Sequence, residues 1–161
     1  MRVLDLSIQN ILRLFYRPML DADFELRLYE TEGPITGASL GVLYLAVVED
    51  FYGEAVSLHN WDAHSWQQTP HYYTSPLYMG RYGLSSAAAN TLIARLTSPV
   101  SSERATARRA LLDLMRAGSS EYPLELLNLA GADLTNAQAI EILVARFTSL
   151  VDELEQAFNS N

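Results

Sequence analysis

Apolar residues recur every three or four positions along nearly the whole chain, and that regularity confines it to helices. From Leu4 to Tyr29 they stand at Leu4, Ile8, Ile11, Leu12, Phe15, Met19, Leu20, Phe24 and Leu28. Farther on, Ile140, Leu143, Val144, Phe147, Leu150, Val151, Leu154 and Phe158 form a second stripe. A period near 3.6 puts such residues on one face of a helix, whereas a strand needs strict alternation. No alternating segment, internal repeat or low-complexity stretch stands out. The expected fold class is all-α, a helical bundle of about six helices forming a single domain over residues 1–161.

Breaker residues divide the pattern. Pro18 removes a backbone donor from the first run, so a kink or two abutting helices is expected there. Gly33-Pro34 ends that run. Thr36 or Ser39 is expected to cap a second helix bearing Leu40, Leu43, Tyr44, Val47, Val48 and Phe51, with Gly53 closing it in the left-handed conformation. Residues 55–74 lack a clear period yet hold both tryptophans and all three histidines. Irregular stretches of that length are uncommon unless they contribute to a site.

Pro76 is expected near the first turn of a third helix, which runs to about Leu96 and is slim at Ala87-Ala88-Ala89. Pro99 stops it, Ser101 or Ser102 caps the fourth, and Gly118 ends that one. A short fifth helix runs from Pro123 to Gly131, and Thr135 with Gln138 forms a capping-box pattern opening the last.

At 161 residues, 49% of them hydrophobic and 19% charged, the chain can bury a core and still have apolar surface to cover. An exposed apolar face usually finds a partner, so a homo-oligomer or a second chain is expected. The net charge of −8 argues against nucleic acid, whose phosphates need a basic footprint. Arg104, Arg108 and Arg109 share a face, but Glu103 and Asp113 flank it, and a solvated helix face is the expectation. The longest apolar run, Gly41 to Val48, is far too short for a membrane span. Asp5, Gln9 and Arg13 interrupt any signal-peptide core. The absence of cysteine excludes disulfides and thiolate metal sites and fits an expected cytoplasmic location.

Chemistry concentrates between His71 and Tyr82, where one histidine and four of the nine tyrosines fall within twelve residues. Phenols and imidazoles can hydrogen-bond a peptide carbonyl and the oxyanion it becomes during hydrolysis. A tyrosine cluster at helical spacing also fits core lining. His59 and His64, five apart, miss the i, i+4 spacing of a zinc helix, although with Asp62 and His71 they could make a loop-borne metal site. There is no Gly-rich phosphate loop and no Gly-x-Ser-x-Gly elbow, and the pairs Ser85-Ser86, Ser101-Ser102 and Ser119-Ser120 read as cap or turn residues. Glu25 and Glu30 are expected to form exposed pairs with Arg13 or Arg27, while Arg13 and Arg17, four apart, could reach acidic groups on a missing half.

Several blocks resemble oligoendopeptidase F, a zinc metallopeptidase of the thimet-oligopeptidase type. Arg17 to Glu25 is similar to that family's Arg-Gln-x-x-Phe-Ala-x-Phe-Glu. Gly33-Pro34-Ile35-Thr36, Leu43-Tyr44 and Asp50-Phe51-Tyr52-Gly53 follow in the family's order. Trp66 with Pro70-His71-Tyr72-Tyr73 resembles Trp-x-x-Ile-Pro-His-Phe-Tyr, and Ala117 to Leu127 and Ala130 to Leu134 look like the tail of those enzymes. The resemblance covers essentially the whole chain. It departs at Pro18, where a glutamine is usual, and at Met79-Gly80-Arg81, where the family has Val-Tyr-Gln.

The family's His-Glu-x-x-His does not occur in this sequence. The resemblance therefore implies the C-terminal part of a peptidase catalytic domain, with the zinc helix and the third-ligand glutamate lying before Met1. Zinc is expected of the full-length family and no cofactor of this chain alone. In the family, the histidine and tyrosines of this segment bind substrate backbone and steady the tetrahedral intermediate, a role that falls here on His71, Tyr78 and Tyr82. The expectation is a substrate-binding segment acting on short peptides, inactive by itself. A non-catalytic helical peptide-binding or interaction protein derived from such a peptidase is the alternative, and a split enzyme completed by a second chain is a third reading.

Overall fold

The computed structural model describes residues 2–160. It contains α1 (Arg2–Ile11), α2 (Arg17–Glu30), α3 (Gly37–Tyr52), α4 (His71–Thr74), α5 (Gly80–Leu96), α6 (Ser101–Ala117), α7 (Pro123–Leu129) and α8 (Gln138–Asn159). Short 3-10 segments cover Gly53–Ala55 and Asp62–Gln68, and no strand occurs among the described residues. The all-α class holds. The eight helices exceed the expected six because the first run is divided and a single helical turn forms at His71.

That first division is a π-helical turn, Leu12–Tyr16, between α1 and α2. Pro18 falls in the first turn of α2, where a missing N–H is tolerated, so the break sits just ahead of the proline. Contacts group the chain into two compact units, residues 13–83 and residues 1–12 with 84–161. No helix among the described residues is long and apolar enough to cross a membrane.

Residues 13–83 pack Leu20 and Phe24 of α2 against Tyr44, Val47 and Val48 of α3, with Trp66 and Tyr72 partly buried against them. The Phe24 ring lies 5.3 Å from Tyr44 edge-on and 5.3 Å from Tyr72. Such pairs contribute about 0.5–1.5 kcal/mol beyond the area they bury. Thr36 caps α3: its hydroxyl accepts from the Ser39 amide at 3.1 Å, and Ser39 Oγ accepts from the Thr36 amide at 2.9 Å. Gly53 closes α3 with φ 54° but ψ −143°, outside the left-handed helical region expected for it. Gly41 lets the Asp62–Gln68 segment approach α3, since a Cβ there would stand 3.1 Å from the Ala63 carbonyl oxygen.

The other unit sets α1 against α8 and α6 against α7. Its buried apolar residues are mostly small: Ala87, Ala88, Ala107, Ala130, Ala132 and Ala139, with Ile11, Leu126 and Leu143. Gly131 follows α7 with φ +84°, and a Cβ there would overlap the Arg95 guanidinium, which donates to the Ala130 carbonyl.

Two expected caps are corrected. Neither Ser101 nor Ser102 caps α6; Ser98 Oγ instead accepts the Val100 amide at 3.2 Å and donates to Glu103. Arg104 leaves the supposed basic face to donate to the carbonyls of Ser98 (2.7 Å) and Pro99 (2.9 Å). The Thr135–Gln138 box does not form, because Gln138 is already the first residue of α8. Asp133 Oδ1 accepts both the amide (2.8 Å) and the hydroxyl (2.6 Å) of Thr135 instead. Those bonds hold the Asp133 carboxyl below the usual carboxylate range.

Candidate functional site

The segment from His71 to Tyr82 is built as a helical turn, a reversal and the start of a longer helix. Pro70 precedes the single turn α4, which closes with the Ser75 amide donating to the His71 carbonyl at 2.8 Å. Leu77 then takes φ +59°, a left-handed value costly for a branched apolar residue, about 1–2 kcal/mol. The expected start of the third helix at Pro76 is therefore corrected. The reversal at Leu77 delays α5 to Gly80, and Pro76 lies in the turn before it.

This path brings together the three residues singled out in the sequence. The His71 ring is stacked on Tyr78 (5.6 Å between centroids, 10° between planes) and meets Tyr82 edge-on at 5.9 Å. Tyr78 and Tyr82, one helical turn apart, touch at 5.4 Å. Tyr78 is 36% and Tyr82 40% exposed, which decides against core lining: the rings pack on one another and face solvent. The Arg81 guanidinium sits 5.1 Å from the Tyr78 ring centre, so the residue that departs from the resemblance adds a cation to the cluster.

Tyr72 turns the opposite way. Its hydroxyl donates to Asp21 Oδ1 at 2.6 Å, and Arg17 Nε donates to Asp21 Oδ2 at 3.2 Å. Burial, reinforced by the bond to Asp21, pushes the Tyr72 hydroxyl pKa far above its ordinary 10.0. Burial also raises Tyr44, partly offset by Arg17, whose guanidinium lies 6.0 Å from the Tyr44 ring centre. Arg17, which could have reached an acidic group elsewhere, pairs with Asp21 at 3.2 Å.

Glu25 is likewise no surface partner of an arginine. It is 2% exposed, its Oε1 accepts the Leu77 amide at 2.9 Å, and its Oε2 has no hydrogen-bond partner among the described residues. Arg27 pairs with Asp23 (2.8 Å) and Asp50 (2.7 Å) instead. The sequence pattern did not single out Asp21 or Glu25 as buried. The available signal was their register, since both lie on the face of α2 that buries Leu20 and Phe24.

The loop histidines do not assemble a metal site. The His59 amide donates to Asp62 at 2.7 Å and its ring lies 4.3 Å from that of Trp61, while His64 Nδ1 is 3.4 Å from the Gln67 side-chain amide. No three histidine, aspartate or glutamate side chains converge among the described residues. A groove of about 460 Å³ between α6 and α7 holds Arg109, Asp113, Leu126 and Leu129, without the histidine and tyrosines of the aromatic cluster.

The curated relatives carry names of oligoendopeptidases and oligopeptidases, and the chain is oligoendopeptidase F-like in sequence over nearly its whole length. It is 25% identical to an oligoendopeptidase F homolog of Borreliella burgdorferi over 155 residues, 94% of this chain and 25% of that protein. Oligopeptidase PepF of Bacillus subtilis is 27% identical over 96% of this chain and 23% of its own length. Group B oligopeptidase PepB of Streptococcus agalactiae is 29% identical over 87% of this chain and 23% of its own. The chain thus spans about a quarter of the length of the curated relatives it matches. No protein-family model and no solved structure matches it.

Proposed function

We propose that this chain is the C-terminal substrate-binding segment of an oligoendopeptidase F-like zinc metalloendopeptidase acting on short peptides. The observation that carries the reading is the exposed stack of His71, Tyr78 and Tyr82, on the residues where the resemblance puts substrate contact. The imidazole and two phenols can donate to a peptide carbonyl and to the oxyanion that forms when it is attacked. One well-placed donor of this kind is worth about 2.7–4 kcal/mol in a transition state. In a zinc peptidase the metal activates water beside a glutamate base. No three histidine, aspartate or glutamate side chains converge among the described residues, so this chain alone is proposed not to hydrolyse peptides. Its cytoplasmic location and its dependence on a partner, either a zinc-bearing half or a second copy, belong to the same proposal. Exposed Met115, Tyr122 and Leu129 support the need for cover.

Short peptides titrated into the chain and followed by NMR should shift the ring resonances of His71, Tyr78 and Tyr82. Substituting His71→Ala and Tyr78→Ala together should weaken binding about tenfold, which corresponds to about 1.4 kcal/mol. Binding that is unaltered by the pair would remove the peptide site. An internally quenched peptide incubated with the chain and zinc should stay intact. Chelator-sensitive cleavage would overturn the claim that the chain alone is inactive.

A further inference from the structure

Two carboxylates on α2, Asp21 and Glu25, are buried on the side of the site away from solvent, at 1% and 2% exposure. They are four residues apart, which on a helix places them one above the other about 6 Å along the axis. Asp21 holds the hydroxyl of Tyr72, the residue next to His71. Glu25 holds the amide of Leu77, the residue next to Tyr78. We propose that Asp21 and Glu25 are positioning residues, a clamp that fixes both ends of the 72–77 segment and so sets the His71–Tyr78 stack.

Three costs coincide there. Burying a carboxylate is unfavourable unless it is paired, and replacing such a group by an apolar one often leaves a protein as stable or more so. Glu25 carries the heavier penalty, since Oε2 is left without a partner among the described residues. Leu77 is held at φ +59°, a conformation that persists only where the surroundings over-determine it. The Glu25 bond is made by the amide of that same residue. A turn serving stability alone could use glycine at position 77 and an apolar residue at 25. The arrangement instead fixes a direction for the chain as it enters Tyr78.

The inference rests on the peptide-site reading only for its purpose; the geometry is read independently from nuclear Overhauser effects between the His71 and Tyr78 rings in the free protein. Glu25→Gln keeps an oxygen for the Leu77 amide, and the ring-to-ring signals and peptide affinity should stay within about twofold of the parent. Glu25→Ala should abolish the ring-to-ring signals and weaken peptide binding about tenfold. Adding Leu77→Gly should recover part of both, because glycine takes a positive φ without help. Tyr72→Phe, which removes only a hydroxyl, tests the Asp21 end should Glu25→Ala fail to fold, and should weaken the ring-to-ring signals. Signals and affinity both unchanged in a folded Glu25→Ala or in Tyr72→Phe would overturn the clamp. An unstacked pair of rings with affinity unchanged would uphold the clamp and instead remove the peptide site.

Discussion

Residues 13–83 and the rest of the chain are both helical, yet they are packed from different materials. The first is filled by Phe24, Tyr44, Trp66 and Tyr72 and has two carboxylates set among the rings. The second buries mostly alanines, at 87, 88, 107, 130, 132 and 139, beside Ile11, Leu126 and Leu143. An aromatic side chain buries about 150–250 Å² and has a direction, whereas an alanine mainly permits backbones to approach. Unmet polar atoms follow the same division. Thr91, buried in the alanine-rich unit, donates to the Ala87 carbonyl at 3.0 Å, but Glu25 Oε2 and Trp66 Nε1 lack partners among the described residues. Energetic cost is thus concentrated in the unit that carries the candidate site, as expected where function sets the geometry.

The contrast can be broken most directly by cutting a side chain from each unit. Phe24→Ala should cost about 3–5 kcal/mol, and Ala107→Gly in the other unit about 1 kcal/mol, both read from urea-induced unfolding. Equal costs would dissolve the comparison. Alkaline pH should sharpen it, because burial raises the hydroxyls of Tyr16, Tyr44 and Tyr72, all within residues 13–83. Above pH 10 the unfolded chain gives up protons that these folded groups keep, so their contribution is complete below pH 10 and declines as the pH rises. The slope is at most about 1.4 kcal/mol per pH unit for each such group and well below that for the more exposed Tyr16, which solvent screens, and Tyr72→Phe should flatten it. Unfolding midpoints from pH 8 to 11 that fall equally in parent and variant would contradict this. The smallest effect is at the rim. Arg81→Gln should change stability by less than about 0.5 kcal/mol and, on the proposed peptide reading, weaken binding of peptides with a free C-terminal carboxylate about two- to threefold more than that of their amidated forms. Isothermal titration of the two peptide forms would measure it, and an equal loss in both would contradict it.

Helical periodicity made the fold class legible, because an apolar stripe has a period that no strand can imitate. The sequence shows the histidine and four tyrosines crowded between His71 and Tyr82, but it is the resemblance, not the spacing, that picks out His71, Tyr78 and Tyr82, which a local turn brings together. What escaped was the support beneath. Asp21 meets Tyr72, and Glu25 meets Leu77, across separations of 51 and 52 residues, distances at which spacing says nothing. Acidic residues ordinarily lie on a solvated face, so a buried pair of them on one helix runs against the usual pattern. The caps failed for a smaller reason: α6 already begins at Ser101, so neither serine stands ahead of it, and Asp133 took the Thr135 amide hydrogen that the motif pattern gave to the glutamine.

Gly41 makes one close approach within residues 13–83 possible by having no side chain. The segment carrying Trp66 lies so near α3 that a methyl group on position 41 would have to displace Ala63 by a few tenths of an ångström. The chain leaving that segment reaches His71 within a few residues. Hydrogen at position 41 therefore acts as a spacer of minimum thickness between α3 and the stretch of chain that leads to the rings.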